Sequence, residues 1–302
     1  MRALAPVDDG VLDRDGFGVG YAVYGEGPVT VCLVMPDTIV NARAWKAQVP
    51  FLARHFRVVT VDPRGNGRSD RPTRPEQFAM TELEADVWGV LDHVGADAVV
   101  LVGLCSGAGL SMILAAERPE RVLGVVAINP GLVLAPRLPN RLLHDFEAEL
   151  DTDEGWARMN RHYWLRDWQG FAEFFFGEMF PEPHSTKQLD DTVAWASETT
   201  AEVMLTDVAC EADPRQVDDA EETCRRVRSP VLVLVGSLDN CQSPDRGRRV
   251  AELTGGELVV MEGSGHLPNA RDPVRVNLLV RDFVRRVAAE GRTGPGPGRA
   301  AG

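Results

Sequence analysis

The chain has 302 residues, near the upper limit for one hydrophobic core, so a single α/β domain carrying an insertion fits better than two equal domains. Its 45 acidic against 32 basic residues give a net charge of −13, which argues against a nucleic-acid surface or a basic membrane-binding face. Hydrophobic residues at 44% and charged residues at 25% describe a soluble globular chain. The cysteines are Cys32, Cys105, Cys210, Cys224 and Cys241. Their number is odd and no C-x-x-C pair occurs, so neither a disulfide framework nor a zinc site is implied. Cys32 reads as core, while Cys210 and Cys224 sit in polar sequence and read as incidental. A cytoplasmic location is expected: the usage suits a reducing compartment, the N-terminus lacks an apolar signal core, and no run approaches the ~18 apolar residues of a membrane span.

In chain order, Phe17 to Tyr24 alternates and ends at Gly25-Glu-Gly-Pro, the pattern of a hairpin strand closing at a turn. Val29 to Met35 is an apolar run suited to a strand buried on both faces. A loop from Pro36 to Asn41 leads to a helix near Ala44 to Arg54. Phe56 to Asp62 is the next strand. Thr81-Glu-Leu-Glu84 reads as a capping box opening a helix to about Val94. Ala98 to Val102 and Val122 to Asn129 are strands, with a helix over Leu110 to Glu117 between them. The alternation predicts a mostly parallel, eight-stranded α/β sheet flanked by helices.

The pattern breaks from about Pro130 to Arg228. Eleven of the 20 aromatics lie between Phe146 and Trp195, among them Trp164, Phe171 and Phe174 to Phe176. Residues 131–228 are expected to form a helical cap inserted into a core made of 1–130 and 229–290. Pro230 to Gly236 resumes the strands. Asp245 to Thr254 is a helix, Glu257 to Met261 a strand, and Pro273 to Ala289 a terminal helix. The Gly/Pro-rich segment 291–302 is expected to be a disordered tail.

The most informative stretch is Gly103-Leu-Cys-Ser-Gly107, placed between a strand and a helix. A reactive residue held in such a sharp turn needs small residues two before and two after it, because strand and helix nearly touch. Gly103 and Gly107 bracket Cys105 in this way. Ser106 is the rival, but Leu104 at its bracketing position is too large. The bland alternative is a tight packing turn with an inert buried cysteine. With Cys105 as nucleophile, Ser106 supplies a backbone N–H at a helix start that favours an anion.

A nucleophile there needs a base, and the base an orienting acid, placed after later strands with the histidine last. Asp239, ending Gly236-Ser-Leu-Asp239, fits the acid. His266, in Glu262-Gly-Ser-Gly-His266, fits the base. Alone, Asp239 reads equally as a turn former and His266 as a capping or solvated residue; their order after Cys105 is what is specific. His55, His93, His144, His162 and His184 read as surface or cap residues.

Over about residues 17–290 the chain resembles the α/β-hydrolase superfamily. The resemblance is carried by Asp62-Pro-Arg-Gly-Asn-Gly-Arg-Ser-Asp70, the Cys105 turn, Pro230 to Asp239, and Gly263 to His266. It implies a Cys105–His266–Asp239 triad, and it says little about substrate, since the fold carries many chemistries. Arg64 and Arg68 belong to the structural turn after Asp62. Two departures stand out. Most relatives use serine; dienelactone hydrolases and polyhydroxyalkanoate synthases are relatives that use cysteine. And where relatives carry His-Gly after the third strand, this chain has Met35-Pro36, then Asp37-Thr38. Pro36 has no N–H, so the second oxyanion donor falls to the backbone of Asp37 or Thr38. The Asp37 side chain either faces solvent as a loop former or faces the site, where it would repel an oxyanion, bind a cationic or hydroxylated substrate, or act as a second acid or base.

The expected function is acyl transfer or hydrolysis on a thioester or activated ester through an acyl-cysteine, with a specialised biosynthetic route as one setting. The alternative is a non-covalent lyase, cyclase, isomerase or small-ligand binder with His266 as base. Thr38, Trp164 and Phe175 are the candidate substrate contacts, and the aromatic cap suggests a largely apolar acyl or aromatic group. The expected partner is a small-molecule acyl substrate, including a carrier-protein or coenzyme A thioester, with no nucleic acid, membrane, metal or cofactor, on a monomer or homodimer.

Overall fold

The computed structural model describes residues 4–34, 37–139, 141, 144–210 and 219–293. Eight strands form one sheet: β1 Asp8–Arg14, β2 Phe17–Tyr24, β3 Thr30–Val34, β4 Arg57–Val61, β5 Val99–Leu104, β6 Val122–Ile128, β7 Val231–Gly236 and β8 Glu257–Met261. Their order is β1-β2-β4-β3-β5-β6-β7-β8. β2 runs antiparallel to both neighbours, and every pair from β4 to β8 is parallel. β5 lies near the middle and is buried along its whole length, which explains its unbroken apolar run.

The helices, in order, are α1 Val49–Leu52, α2 Met80–His93, α3 Ser106–Glu117, α4 Arg161–Arg166, α5 Trp168–Met179, α6 Thr186–Ala196, α7 Ala201–Val208, α8 Ala220–Arg226, α9 Asp245–Thr254, α10 Pro268–Arg271 and α11 Pro273–Thr293. One face of the sheet is covered by α2, α3, α8 and α9 through residues such as Trp88, Met112, Cys224 and Val250. The other is covered by α1, α11 and the aromatic helices between β6 and β7. Each fully buried Val or Leu in these layers contributes roughly 1.5–3 kcal/mol of transfer free energy. Among the described residues, no strand interrupts the stretch between β6 and β7.

Several expectations are corrected. β2 does not close a hairpin at Gly25; it pairs with β1 through Asp15-Gly16, both at positive φ (54° and 83°), as a two-residue hairpin turn requires. β1 carries the charge-rich sequence of an edge strand, which hides it from a hydrophobic reading. The helix expected over Ala44 to Arg54 is a 3₁₀ turn, Ala42–Trp45, and the single turn α1. Pro50 lacks the N–H that a continuous helix would need there. The capping box at Thr81 does not form, because α2 starts at Met80 with Ala79 ahead of it and no side-chain cap. Cys210 and Cys224, despite their polar sequence surroundings, are buried. α11 continues to Thr293, past the expected tail boundary; residues 294–302 lie outside the described residues, as do Met35 and Pro36.

Candidate active site

β3, β5, β7 and β8 all end at the same edge of the sheet, and the loops beyond them bring Asp37, Cys105, Asp239 and His266 to one place. Crevices at the carboxyl ends of parallel strands are where open α/β sheets place their sites.

Cys105 joins β5 to α3 with φ 52° and ψ −120°, a conformation that costs a non-glycine residue of order 1–3 kcal/mol. The surroundings over-determine it. Its N–H donates to the Ile128 carbonyl at 3.0 Å, and its carbonyl accepts from Gly131 (2.8 Å), Ala108 (3.0 Å) and Gly109 (3.2 Å). A Cβ on Gly103 would run into the Gly107 carbonyl, and one on Gly131 would lie 2.9 Å from the Ser106 nitrogen. The small residues around Cys105 are therefore required by contact. Cys105, and not Ser106, holds the strained position.

His266 is 3% exposed, and its Nδ1 lies 2.7 Å from Asp239 Oδ2. The other Asp239 oxygen accepts from the N–H groups of Cys241 (2.7 Å) and Gln242 (3.0 Å). With both oxygens held, the carboxylate presents a fixed acceptor to the imidazole. A Cβ on Gly236 would collide with the Gly265 carbonyl, so the end of β7 and the His266 loop need a glycine to approach.

Burial pushes the Cys105 thiol up, yet the His266 charge and a hydrogen bond to it outweigh burial, and the thiol lies below its ordinary value. Asp37 and Asp239 oppose that fall. Burial alone would lower His266, but the charge of Asp239, with contributions from Cys241 and Cys105, holds it well above an ordinary histidine. The pair thus favours thiolate and imidazolium. Cys32 and Cys224 show the contrast: buried without a cation of comparable effect, each is pushed up to about 12.

Asp37 faces the site, which overturns the solvent-facing alternative. Its Oδ1 accepts from the Thr38 N–H at 2.7 Å, and its Oδ2 lies 3.5 Å from the Ser106 hydroxyl. The Ser106 hydroxyl is in turn 4.0 Å from Cys105 Sγ. A carboxylate therefore stands beside the first residue of α3, where an oxyanion would look for its donors.

Two small cavities meet at this point. One, of about 60 Å³, is lined by Cys105, His266, Asp37, Phe175 and apolar residues including Leu104 and Met179. The other, of about 80 Å³, is lined by Asp37, Thr38, Ser106, Phe78, Arg64 and Asp207. Phe175 is thus brought to the Cys105 cavity, and Thr38 borders the neighbouring one. Trp164 is not: it is 1% exposed, packed against Phe146, Trp168 and Phe171 in the interior of the aromatic helices. Its size fills that interior instead of facing a substrate. Arg64 lines the second cavity while its guanidinium is bound to Asp86 and Glu82. The described residues contain no group of three or more His, Cys, Asp or Glu placed to hold a metal, and no helix long and apolar enough to cross a membrane.

Four supporting residues were invisible in the sequence. Asn129, at φ 41°, accepts from Gly236 N–H at 2.9 Å and donates to the His266 carbonyl at 2.8 Å, tying β6, β7 and the histidine loop together. Gln242 donates to the Asn129 carbonyl and accepts from Arg246 at 3.2 Å. Glu182 accepts from Gly265 N–H at 2.6 Å, and the His266 N–H donates to the Met179 carbonyl at 3.1 Å, so the histidine loop is fastened to the end of α5.

A family model described as the alpha/beta hydrolase fold matches residues 35–273. A curated relative, 3-oxoadipate enol-lactonase 2 of Acinetobacter baylyi, is 24% identical over 279 residues, covering 91% of this chain and 96% of that enzyme. Epoxide hydrolase B of Mycobacterium tuberculosis is 38% identical, over 134 residues, 41% of this chain and 37% of that one. Among solved structures, the enol-lactonase from Burkholderia xenovorans superposes with a TM-score of 0.74 at 22% identity, covering 91% of this chain and 100% of that chain. On the family match over most of its length, the chain belongs to the α/β hydrolase fold family, a family of hydrolases.

Proposed function

We propose that this hydrolase works through Cys105 as nucleophile, His266 as proton carrier and Asp239 as the group that fixes the imidazole, on a thioester or activated ester. The observation carrying this reading is the strained Cys105 turn beside an imidazole held 2.7 Å from a buried carboxylate, in a setting that lowers the thiol. The Cys105 thiolate adds to the carbonyl carbon. The tetrahedral oxyanion collapses, the bond to the leaving group breaks, and His266 gives that group its proton. An acyl-cysteine remains. Water, losing a proton to His266, then attacks it and releases the acid; an acceptor thiol, alcohol or amine in place of water gives transfer. A thioester intermediate lies close in energy to a thioester donor, so loading from one is nearly balanced. The 60 Å³ apolar cavity suits a short acyl chain. Incubation with butyryl thioesters followed by intact-mass spectrometry tests the reading. One butyryl adduct, lost in Cys105→Ala, supports it; turnover by Cys105→Ala at the parent's rate ends it.

A second reading is favoured by one observation, the Asp37 carboxylate beside Ser106. In it the site performs a non-covalent lyase, isomerase or cyclase step with His266 as base and Asp37 as a second acid or base. Ligand binding without any acyl adduct supports that reading over the first.

A further inference from the structure

Two arginines, Arg246 and Arg141, hang from the loop after β7 on the β6–β7 flank of Cys105, and neither forms an ion pair among the described residues. Arg246, in the first turn of α9, is 8% exposed. Its one side-chain hydrogen bond among the described residues runs from Nη1 to Gln242 Oε1 at 3.2 Å, while its Nε is buried with no partner among them. Arg141 donates from Nη1 to the Cys241 carbonyl at 2.9 Å and stacks its guanidinium 4.7 Å from the centre of the Trp156 ring. Arg137 is exposed. Burial lowers Arg246, and the repulsion of Arg141 and Arg137 adds to it, while Cys105 and Cys241 act the other way. Gln242 also donates to the Asn129 carbonyl, and Gly131, two residues on, donates to the Cys105 carbonyl at 2.8 Å, so hydrogen bonds through the end of β6 tie Arg246 to the Cys105 turn.

Their attachment is specific. Arg141 and Arg246 hang from Cys241 and Gln242, the two residues whose backbone N–H groups hold the Asp239 carboxylate. A buried guanidinium with its Nε edge unused, in a chain with 45 acidic residues, has no counter-ion among the described residues. A buried unpaired charge is costly, and that edge is the one that grips a carboxylate through two parallel N–H donors. The acyl cavity is lined instead by Ile39, Val40, Phe175 and Leu267 beside Cys105 and His266, and neither arginine borders it.

We propose that Arg246 and Arg141 form a carboxylate-binding subsite next to Cys105 that takes a carboxylate on the leaving-group side of the substrate, while the acyl chain enters the apolar cavity. The inference deepens the covalent reading above and rests on it for the order of the substrate's parts.

A matched pair of probes tests it: the butyryl thioesters of 3-mercaptopropionate and of 3-mercaptopropionamide, equal in shape and different in charge. The acid is expected to react with a kcat/KM at least about tenfold above the amide, the size of effect that charge-assisted hydrogen bonds give. That ratio should fall toward one in Arg246→Gln, drop in part in Arg141→Gln, and persist in part in Arg246→Lys. Because Arg246→Gln risks misfolding, the parent's own ratio and the partly exposed Arg141→Gln each decide independently. Equal rates for acid and amide in the parent overturn the subsite. So does an alkylation profile of Cys105 that shifts in Arg246→Gln while the acid-to-amide ratio stays, since the guanidinium then serves the thiolate alone. Tighter binding of inorganic phosphate than of 3-mercaptopropionate overturns the carboxylate assignment. Calorimetry of both probes on Cys105→Ala, which cannot be acylated, separates the two proposals: preferred binding of the acid there, with no adduct on the parent, leaves the subsite standing and removes covalent catalysis.

Discussion

The two flanks of Cys105 carry opposite charge. On the β3 side stands Asp37, held by the Thr38 N–H and set against the Ser106 hydroxyl, and its charge pushes the thiol up. On the β6–β7 side stand Asn129 and Gln242, hydrogen-bonded to each other, with Arg141 and Arg246 beyond them. Between the two, burial also favours the neutral thiol, and the imidazolium of His266 tips the balance to the thiolate. A sulfur placed this way gives the site a polarity along the strand order of the sheet. An anionic group is repelled from one flank and drawn to the other, whereas the apolar cavity discriminates by size and not by charge.

The comparison breaks most completely at the sulfur itself. Cys105→Ala is expected to lower turnover of activated esters by at least roughly a thousandfold, while Cys105→Ser keeps slow hydrolysis. A rate assay with acyl-adduct detection checks both. The next effect is on protonation. In His266→Asn the groups left acting on the thiol are chiefly those that raise it, burial, Asp37 and Asp239, so the thiol should move above the ordinary value of about 8.5. In the parent, thiolate reactivity should persist as pH falls below that value; in the variant it should fade well before neutrality. Iodoacetamide alkylation followed against pH reads this directly, with a drop of roughly tenfold to a hundredfold expected near pH 7. Identical profiles would mean that something other than the imidazolium holds the thiolate.

What could be read from the sequence divides along the same lines. The ends of β5 and β7 were legible, because buried parallel strands are continuous apolar runs and the glycines near them mark backbone contacts, as Gly103 and Gly236 do, while β8, an edge strand with Glu257 and Leu258 exposed, was marked by its short apolar run Leu258 to Met261 before a glycine-rich loop. Asp239 and His266 follow from those ends. The charge on each flank was not legible. Whether Asp37 faced in or out depended on a loop whose path no periodicity sets. Arg246 sits on an otherwise polar-looking helix, Asp-Arg-Gly-Arg-Arg, where only tertiary packing distinguishes the buried arginine from its exposed neighbours. Trp164 failed for a related reason: dense aromatics mark a buried interior without saying which of its members borders a cavity. β1 escaped notice because an edge strand can be mostly polar.

The smallest change gives the sharpest distinction between the two catalytic readings. Asp37→Asn keeps the shape of the side chain, and the amide oxygen can still accept from the Thr38 N–H, now at 2.7 Å from Oδ1. It removes the negative charge that opposes both the thiolate and any oxyanion forming near the start of α3. If Cys105 attacks the carbonyl, the variant should therefore lower the thiol further and raise kcat for a neutral butyryl ester by about tenfold, with little change in the preference set by the arginines on the other flank. If His266 and Asp37 instead move protons in a non-covalent step, the amide cannot replace the carboxylate, and turnover should fall. Steady-state rates on one neutral substrate, with the alkylation profile measured on the same preparations, give the sign; a faster enzyme places Asp37 as a brake on acyl chemistry, and a slower one makes it a partner in proton transfer.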